Sequence, residues 1–182
     1  MTVRKNNLLV IENGHINTYL LDDKTEWSVG RLSKDNRPDI ELHAPTISRK
    51  HGKFRNVESI WFYYDENGKN GTIYNKKPIK PGIKGRTKAL MLNPGDVFVL
   101  GCGETENINY KTVWMRYSNV LYEDIWNVVD TKGLEEISFI SGNATTNYNK
   151  PAKGTVVEAD NGMAIYMGDI TYIIGDMKIK NN

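Results

Sequence analysis

Cysteine and histidine are scarce in this sequence, and long apolar runs are missing altogether. Cys102 is the only cysteine among 182 residues, which excludes an intrachain disulfide framework and a thiolate metal cluster. The three histidines, His15, His43 and His51, are not spaced as metal ligands. No apolar stretch approaches the ~20 residues of a membrane span, and the N-terminus has no signal-peptide core. These absences predict a cytoplasmic protein that needs no cofactor or metal and does not insert into a membrane.

Motifs of enzyme active sites are missing as well. The stretch GCGETE, residues 101–106, lacks the third glycine of a dinucleotide-binding loop, and no glycine-rich stretch ends in Gly-Lys-Ser/Thr. No serine lies in a G-x-S-x-G elbow, and no nucleophile has a paired base. The stretch DENGKNG, residues 65–71, begins like a calcium loop, but Lys69 and Asn70 break the ligand pattern. The sequence therefore predicts a protein that is not an enzyme.

Charge divides the chain into a basic and an acidic part. Residues 1–117 carry 19 Lys and Arg against 13 Asp and Glu, a net charge of +6. Residues 118–182 carry 5 against 9, a net charge of −4. Such an asymmetry indicates two segments with different roles, although ordinary solvated surface charge explains it equally well.

Short strand patterns fill the basic part of the chain. Asn13-Gly14 separates LLVIE from INTYLL, which is a strong hairpin signal because this dipeptide suits the positive φ angles of a tight turn. The turn Asn93-Pro94-Gly95-Asp96 predicts a second hairpin, between ALML and VFVLG. Strands this short and this often interrupted favour an all-β fold, an antiparallel β-sandwich over residues 6–117.

The acidic part, residues 118–182, predicts an extension of mixed or β character. Leu121, Ile125, Val128 and Val129 stand near helical spacing, although a strand is also compatible with them. The stretch TTNYNKPAKG predicts a loop, and TVVEADNGMAIYMGDITYIIG predicts strand, turn and strand. We expect the extension to pack on the sandwich or to begin a second module. Its apolar residues for such packing are Leu121, Ile125, Trp126, Ile165 and Ile173.

A polar turn, PTISRKHGKF at residues 45–54, lies between two predicted strands. It places Ser48, two cations and His51 in a row. A turn does not need these side chains to reverse the chain, so they indicate a further role. The pairs Gly30-Arg31 and Asn70-Gly71 lie at two further strand ends, and loops at one end of a sandwich come together. An arginine fork and a hydroxyl suit a phosphate, and an asparagine amide can hold a peptide backbone.

These elements together resemble a forkhead-associated (FHA) domain. They are Gly-Arg at 30–31, Ser-Arg-x-His-Gly at 48–52, Asn-Gly-Thr at 70–72 and Gly-Asp at 95–96, in an order and spacing typical of the family. The resemblance covers residues 6–117 and implies a β-sandwich of FHA type that binds phosphothreonine peptides through loops at one end.

The resemblance also implies a role for each site residue. Arg31 and Ser48 would contact the phosphate, Arg49 would add a further phosphate contact, and Asn70 would hold the ligand backbone. His51 would support the loops, as would Gly30, Gly71 and Thr72. Thr46, Lys69 and residues 75–77 are placed to read the ligand three residues after the phosphothreonine, where Lys69 and Lys77 favour an acidic residue.

The implied function is that of an adaptor in Ser/Thr-kinase signalling, with a phosphothreonine protein or peptide as partner, such as a Ser/Thr kinase or its substrate. In bacteria such modules partner with kinases, secretion machinery and cell-wall or transport proteins. Two alternatives stay open: an FHA-like scaffold that does not bind phosphate, and a protein that binds polyanions. Residues 75–88 carry six basic residues and no acidic one, but they lack an aromatic residue for base stacking, which disfavours nucleic acid.

Overall fold

The fold is that of a computed structural model, which describes residues 4–80, 88–108, 112–121, 126–160 and 162–181. The chain forms two compact units. The first consists of Met1–Asn107 and Lys111–Leu121, and the second of Ile108–Tyr110 and Tyr122–Asn182. Strands dominate the described residues, and two short 3-10 helices, Leu21–Asp23 and Thr105–Asn107, accompany them. No helix within them is long and apolar enough to cross a membrane.

The first unit consists of short strands in two sheets. The strands are β1 (Arg4–Glu12), β2 (His15–Leu20), β3 (Glu26–Arg31), β4 (Ile40–Leu42), β5 (Gly52–Val57), β6 (Ile60–Asp65), β7 (Thr72–Tyr74), β8 (Lys77–Pro78), β9 (Ala89–Met91), β10 (Val97–Leu100) and β11 (Val113–Val120). One sheet has the order β2-β1-β11-β10-β7-β8, and the other has the order β4-β3-β5-β6-β9. The pairs formed by described residues are antiparallel except for β3–β4, which is parallel. The predicted β-sandwich is confirmed.

The core of the first unit takes side chains from both sheets. Along β6 the burial alternates, so that Trp61, Tyr63 and Asp65 point inward, as the two-residue period of a strand requires. Tyr63 packs against Phe54 and Phe98, with ring centroids 4.9 and 4.6 Å apart. Each such buried side chain stabilises the fold by about 1.5–3 kcal/mol. This inward alternation also delivers the Asp65 carboxylate to the end of the sandwich where the polar loops lie.

One predicted hairpin is wrong. β9 and β10 flank the turn Asn93–Asp96, and Gly95 in that turn has φ +97°. However, β9 pairs with β6 in one sheet, whereas β10 pairs with β7 and β11 in the other. The turn carries the chain from one sheet to the other, so the turn chemistry was predicted correctly and the partner strand was not. The hairpin at Asn13-Gly14 is confirmed, since β1 and β2 pair across it.

The second unit is also built of strands, and it has its own core. Its strands are β12 (Trp126–Asp130), β13 (Glu136–Ser141), β14 (Ala144–Asn149), β15 (Thr155–Ala159), β16 (Gly162–Tyr166), β17 (Ile170–Gly175) and β18 (Lys178–Asn181). They form the sheets β12-β17-β16-β15 and β14-β13-β18. Ile137, Phe139, Val157 and Ala164 pack together with Ile173, one of the residues expected to contact the sandwich.

Two local predictions for the extension need correction. The stretch TTNYNKPAKG is not a loop throughout, because Thr145 to Asn149 belong to β14 and pair with β13. The polar side chains of β14 face solvent, which explains why the sequence there resembles a loop. Val128 and Val129 lie in β12, so the strand alternative holds for them, while Ile125 lies outside the described residues. Packing of the extension on the sandwich stays a prediction.

Candidate functional site

The candidate residues predicted from the sequence lie on segments that flank five strands of the first unit, β3 to β7. Gly30 and Arg31 end β3; Thr46, Ser48, Arg49 and His51 lie between β4 and β5; Lys69, Asn70 and Gly71 lie between β6 and β7; and Thr72 begins β7. Hydrogen bonds between these segments, described below, bring them together.

The end of β3 runs against the segment that carries Ser48. The Arg31 backbone N–H donates to the Ser48 carbonyl at 3.0 Å, and the His51 N–H donates to the Val29 carbonyl at 3.0 Å. A Cβ atom on Gly30 would lie 1.8 Å from the Arg49 carbonyl oxygen. Glycine at position 30 is therefore required for the close approach of the two segments, which sets the position of the Arg31 side chain.

Asn36 ties the same two segments from the side. Its Nδ2 donates to the carbonyl of Arg31 at 3.0 Å and to the carbonyl of Arg49 at 2.8 Å. One amide group thus bonds to both segments and adds to the backbone bond between Arg31 and Ser48. This arrangement holds the ends of β3 and of the Ser48 segment at a fixed spacing.

The Arg31 side chain is half-buried and has an unsatisfied donor. Its Nε is buried and makes no hydrogen bond with any residue that the structure describes. Leaving a buried donor unpaired costs roughly 1–3 kcal/mol, and more for a charged group. The site therefore provides a guanidinium that an external acceptor would stabilise.

Ser48 and Lys69 join the second and third segments. The Ser48 Oγ accepts a hydrogen bond from the Lys69 backbone N–H at 3.0 Å. Since the oxygen acts as acceptor here, the hydroxyl proton remains available for donation to a ligand. The Lys69 side chain is exposed, so its ammonium lies in solvent.

Asn70 is held in place by one half of its amide. Its Nδ2 donates to the Thr46 carbonyl at 2.9 Å, and both residues are exposed. No described residue contacts its Oδ1 with a hydrogen bond. Asn70 can therefore accept from a ligand N–H through Oδ1 and donate through its second amide proton.

A buried chain of polar groups supports these loops from beneath. His51 is fully buried, and Thr72 beside it donates from Oγ1 to Oδ1 of Asp65 at 2.7 Å. The Tyr63 hydroxyl donates to the same carboxylate oxygen at 3.0 Å. Burial lowers the pKa of His51, while the nearby Asp65 charge acts in the opposite direction. Burial raises the pKa of Tyr63 well above its ordinary value, and the Asp65 charge adds to this shift.

The comparisons with known proteins agree with this arrangement. Residues 27–101 match the family model described as FHA domain. This part of the chain is an FHA domain. The match runs from Trp27 in β3 to Gly101 after β10, and it includes every residue of the candidate site. It confirms the resemblance inferred from the sequence.

The chain is also similar to several solved structures. The yeast Pml1 splicing factor is 25% identical, with a TM-score of 0.50 over 65% of this chain and 81% of that one. Rv1747 FHA-1 of Mycobacterium tuberculosis is 20% identical, with a TM-score of 0.41 over 63% and 98%. The FHA domain of a hypothetical protein from Arabidopsis thaliana is 21% identical, with a TM-score of 0.46 over 66% and 92%. No curated protein sequence matches the chain.

Three parts of the FHA site were not predicted from the sequence. Asn36 lies in a polar loop, and nothing local marks it as a bridge. In the sequence Asp65 stands out only as the first residue of an incomplete calcium loop, yet it accepts from Tyr63 and from Thr72, the residue bonded to His51. The GCG stretch resembles only an incomplete nucleotide loop, but a Cβ on Gly101 would lie 2.5 Å from the Thr46 Oγ1.

Arg49 is exposed, and its backbone carbonyl rather than its side chain contacts the rest of the site through Asn36. Of the basic segment 75–88, residues 81–87 lie outside the described residues. No group of three or more His, Cys, Asp or Glu within the described part of the chain is arranged to hold a metal ion.

Proposed function

We propose that the FHA domain of this protein binds phosphothreonine peptides at the loops joined by Ser48. The observation that carries the proposal is the buried Nε of Arg31, which has no partner among the described residues. A phosphate has about −1.5 to −2 charges at neutral pH and three strong acceptor oxygens, and a guanidinium binds it through charge-assisted hydrogen bonds. Phosphate binding would satisfy a donor that the folded domain leaves unpaired.

Ser48 supports the same assignment from the next segment. The Lys69 N–H fixes the position of its Oγ, so the hydroxyl proton can be donated to a ligand from a defined position. A hydroxyl so held loses less rotational freedom on binding than a mobile one. We assign it a single hydrogen bond to a phosphate oxygen, beside the contacts from Arg31.

Asn70 would hold the ligand main chain. Its position depends on the bond to the Thr46 carbonyl, which leaves an acceptor and one donor proton for the ligand. These two groups match the N–H and C=O of an extended peptide. Thr46 and Lys69 flank Asn70, and the exposed Lys69 ammonium favours an acidic ligand residue on that side.

The physiological role that follows is that of a non-catalytic adaptor in Ser/Thr-kinase signalling. The binding groups are donors and a cation held rigidly by the loops, which is what recognition of a phosphorylated segment requires. The partner would be a protein carrying a phosphorylated threonine, either a Ser/Thr kinase or one of its substrates. Arg49, one residue after Ser48, would supply a further cation.

A phosphothreonine peptide library with degenerate flanking positions tests the proposal. We expect enrichment of phosphothreonine peptides and no binding of the same peptides with threonine or glutamate at that position. An oligonucleotide titrated over the same range of salt concentrations serves as the polyanion control. Equal binding of phosphorylated and unmodified peptides, or tighter binding of the oligonucleotide, would contradict phosphothreonine recognition.

A further inference from the structure

An open depression of about 280 Å³ lies beside the candidate site, on the outer face of β3 and β5. Four of the residues that line it are cationic: Arg37, Arg49, Lys50 and Lys53. The first three are exposed, and none of them forms an ion pair with a residue that the structure describes. The Lys53 ammonium lies 5.6 Å from the centroid of the Tyr64 ring.

The acidic residues of the depression do not neutralise these cations. Glu26 is a lining residue that pairs elsewhere, with its Oε2 at 3.7 Å from the Arg55 Nε. Glu66 also lines the depression and has no ion-pair partner among the described residues. Four cations therefore stand against two carboxylates, Glu26 and Glu66, and the depression has an excess of positive charge.

Ser28, one of the lining residues, has its polar groups already satisfied. Its backbone N–H and its hydroxyl both donate to the Asp39 Oδ2, at 2.9 and 3.0 Å. Asp39 is in turn paired with Lys24 at 2.7 Å. Asp39 does not line the depression, and Ser28 and Lys24 already engage its carboxylate, so it does not compete for the cations.

The depression is continuous with the residues assigned to the phosphate. Asn36 lines the depression and donates to the Arg31 carbonyl, and Arg49 lines it directly after Ser48. The segment from Thr46 to Arg49 contacts Asn70 at its beginning and Asn36 at its end. The depression therefore adjoins the end of this segment that is remote from the contact with Asn70.

We propose that this depression is a second anion subsite, which binds another negatively charged side chain of the ligand bound at Arg31 and Ser48. The proposal rests on the proposed function. The anion would be a second phosphorylated residue or a carboxylate on one side of the phosphothreonine. An extended peptide advances about 3.3 Å per residue, so a side chain a few residues away can reach a neighbouring depression.

Five peptides with the same phosphothreonine separate the possibilities. One carries no other anion. Two carry phosphoserine, either about three residues before or about three residues after the phosphothreonine, and two carry glutamate at these same positions. The rise of an extended strand sets this distance. Each is titrated by calorimetry into the parent protein, into the double variant Arg37→Gln/Lys50→Gln, and into Lys34→Gln. Lys34 is the matched control, because it is an exposed cation of the β3–β4 loop that does not line the depression.

We expect phosphoserine on one side of the phosphothreonine to tighten binding about five- to twentyfold, and glutamate on that side about two- to fivefold, since several exposed cations act together. The double variant should lose this gain, and Lys34→Gln should keep it. A gain on the other side, which Lys69 would supply, should survive in the double variant. If the double variant loses no gain, or loses the gain on both sides, the subsite is overturned. If all three proteins bind the singly phosphorylated peptide equally and a second anion adds nothing, the subsite is refuted while the proposed function stands. If no phosphorylated peptide binds, both fail.

Discussion

Nε2 of His51 lies 2.8 Å from the Thr72 Oγ1, and this bond joins the segment that carries Ser48 to the strand that follows Asn70. The other ring nitrogen, Nδ1, accepts the Ser48 backbone N–H at 3.3 Å. Nδ1 therefore has no proton, and Nε2 donates to Thr72, which in turn donates to Asp65. Because a protonated imidazole cannot accept from Ser48, the arrangement requires neutral His51.

Stability should consequently fall in mild acid. Burial lowers the pKa of His51 below its ordinary value of 6.5, so the unfolded chain binds a proton that the folded chain does not. The contribution is complete above pH ~6.5 and is lost as the pH falls toward the folded pKa, with a slope of at most about 1.4 kcal/mol per pH unit. Urea denaturation at pH 5 to 8 measures it.

His51→Gln should flatten this pH dependence, although the variant is less stable at neutral pH. His15→Gln is the matched control, because His15 is exposed in β2 and its removal should leave the profile unchanged. An unchanged profile in His51→Gln would show that another group titrates. Phosphopeptide affinity should decline over the same pH range, since His51 holds the Ser48 segment.

The sequence predicts this fold well because strand alternation and turn residues are local properties. Asn13 and Gly14 have positive φ angles, as the predicted turn requires. The pairing of β9 was predicted wrongly because a turn signal reports that the chain reverses, but not which sheet receives the next strand. For β14, exposed polar side chains concealed a strand whose backbone bonds to β13 hold it in place.

The site could be predicted only where its contacts join residues close in the sequence, or where the spacing of its motifs is typical of the FHA family. The resemblance identifies Arg31, Ser48 and Asn70, and the structure joins their segments by hydrogen bonds. The supporting role of Asn36 could not be predicted, because its partner Arg49 lies 13 residues away in the sequence. The role of Asp65 could not be predicted either, because it depends on burial, which is a tertiary property. Polar residues in loops carry no local mark of such partners.

Asn36 should position the phosphate-binding residues without contacting the ligand. Asn36→Ala removes two hydrogen bonds to backbone carbonyls, so we expect a loss of about 1–2 kcal/mol of stability and several-fold weaker phosphopeptide binding. Asn36→Asp should be worse than Asn36→Ala, because a carboxylate cannot donate and repels both the carbonyls and the phosphate. Calorimetric titration and urea denaturation of both variants test this order. If the aspartate variant binds as tightly as the alanine variant, Asn36 does not act through these carbonyls.

Gly30 should tolerate no side chain. A Cβ atom would lie 1.8 Å from the Arg49 carbonyl, far inside contact distance, so Gly30→Ala must separate β3 from the Ser48 segment. Gly14→Ala is the control: Gly14 has φ +81° and open space around its Cβ position, so its cost is conformational, about 1 kcal/mol. We expect Gly30→Ala to lose clearly more stability in urea denaturation and to abolish phosphopeptide binding. Equal losses in the two variants would show that the close approach is not required.

Ser48→Ala should weaken phosphopeptide binding modestly. The variant loses one neutral hydrogen bond to the phosphate, about 0.5–1.5 kcal/mol or roughly two- to tenfold in affinity. It also leaves the Lys69 N–H without its acceptor, which water can replace because Lys69 is exposed. The measurement is calorimetric titration with one phosphothreonine peptide. A loss far larger than tenfold at unchanged stability would mean that Ser48 contributes more than a single neutral bond.

Arg31 should contribute most to phosphate discrimination. A charge-assisted hydrogen bond contributes roughly 1.5–3 kcal/mol, so Arg31→Ala should weaken phosphopeptide binding about 10- to 1000-fold. Arg31→Lys should also bind poorly, because an ammonium cannot reproduce the planar fork of the guanidinium. The fold should survive both changes, since the Nε that they remove has no partner among the described residues.

The matched control is Arg55→Ala, which removes an exposed arginine of β5 that is paired with Glu26. This variant should bind within about twofold of the parent, because exposed ion pairs contribute little. If Arg31→Ala folds normally and binds as tightly as Arg55→Ala, the phosphate is not recognised at this position.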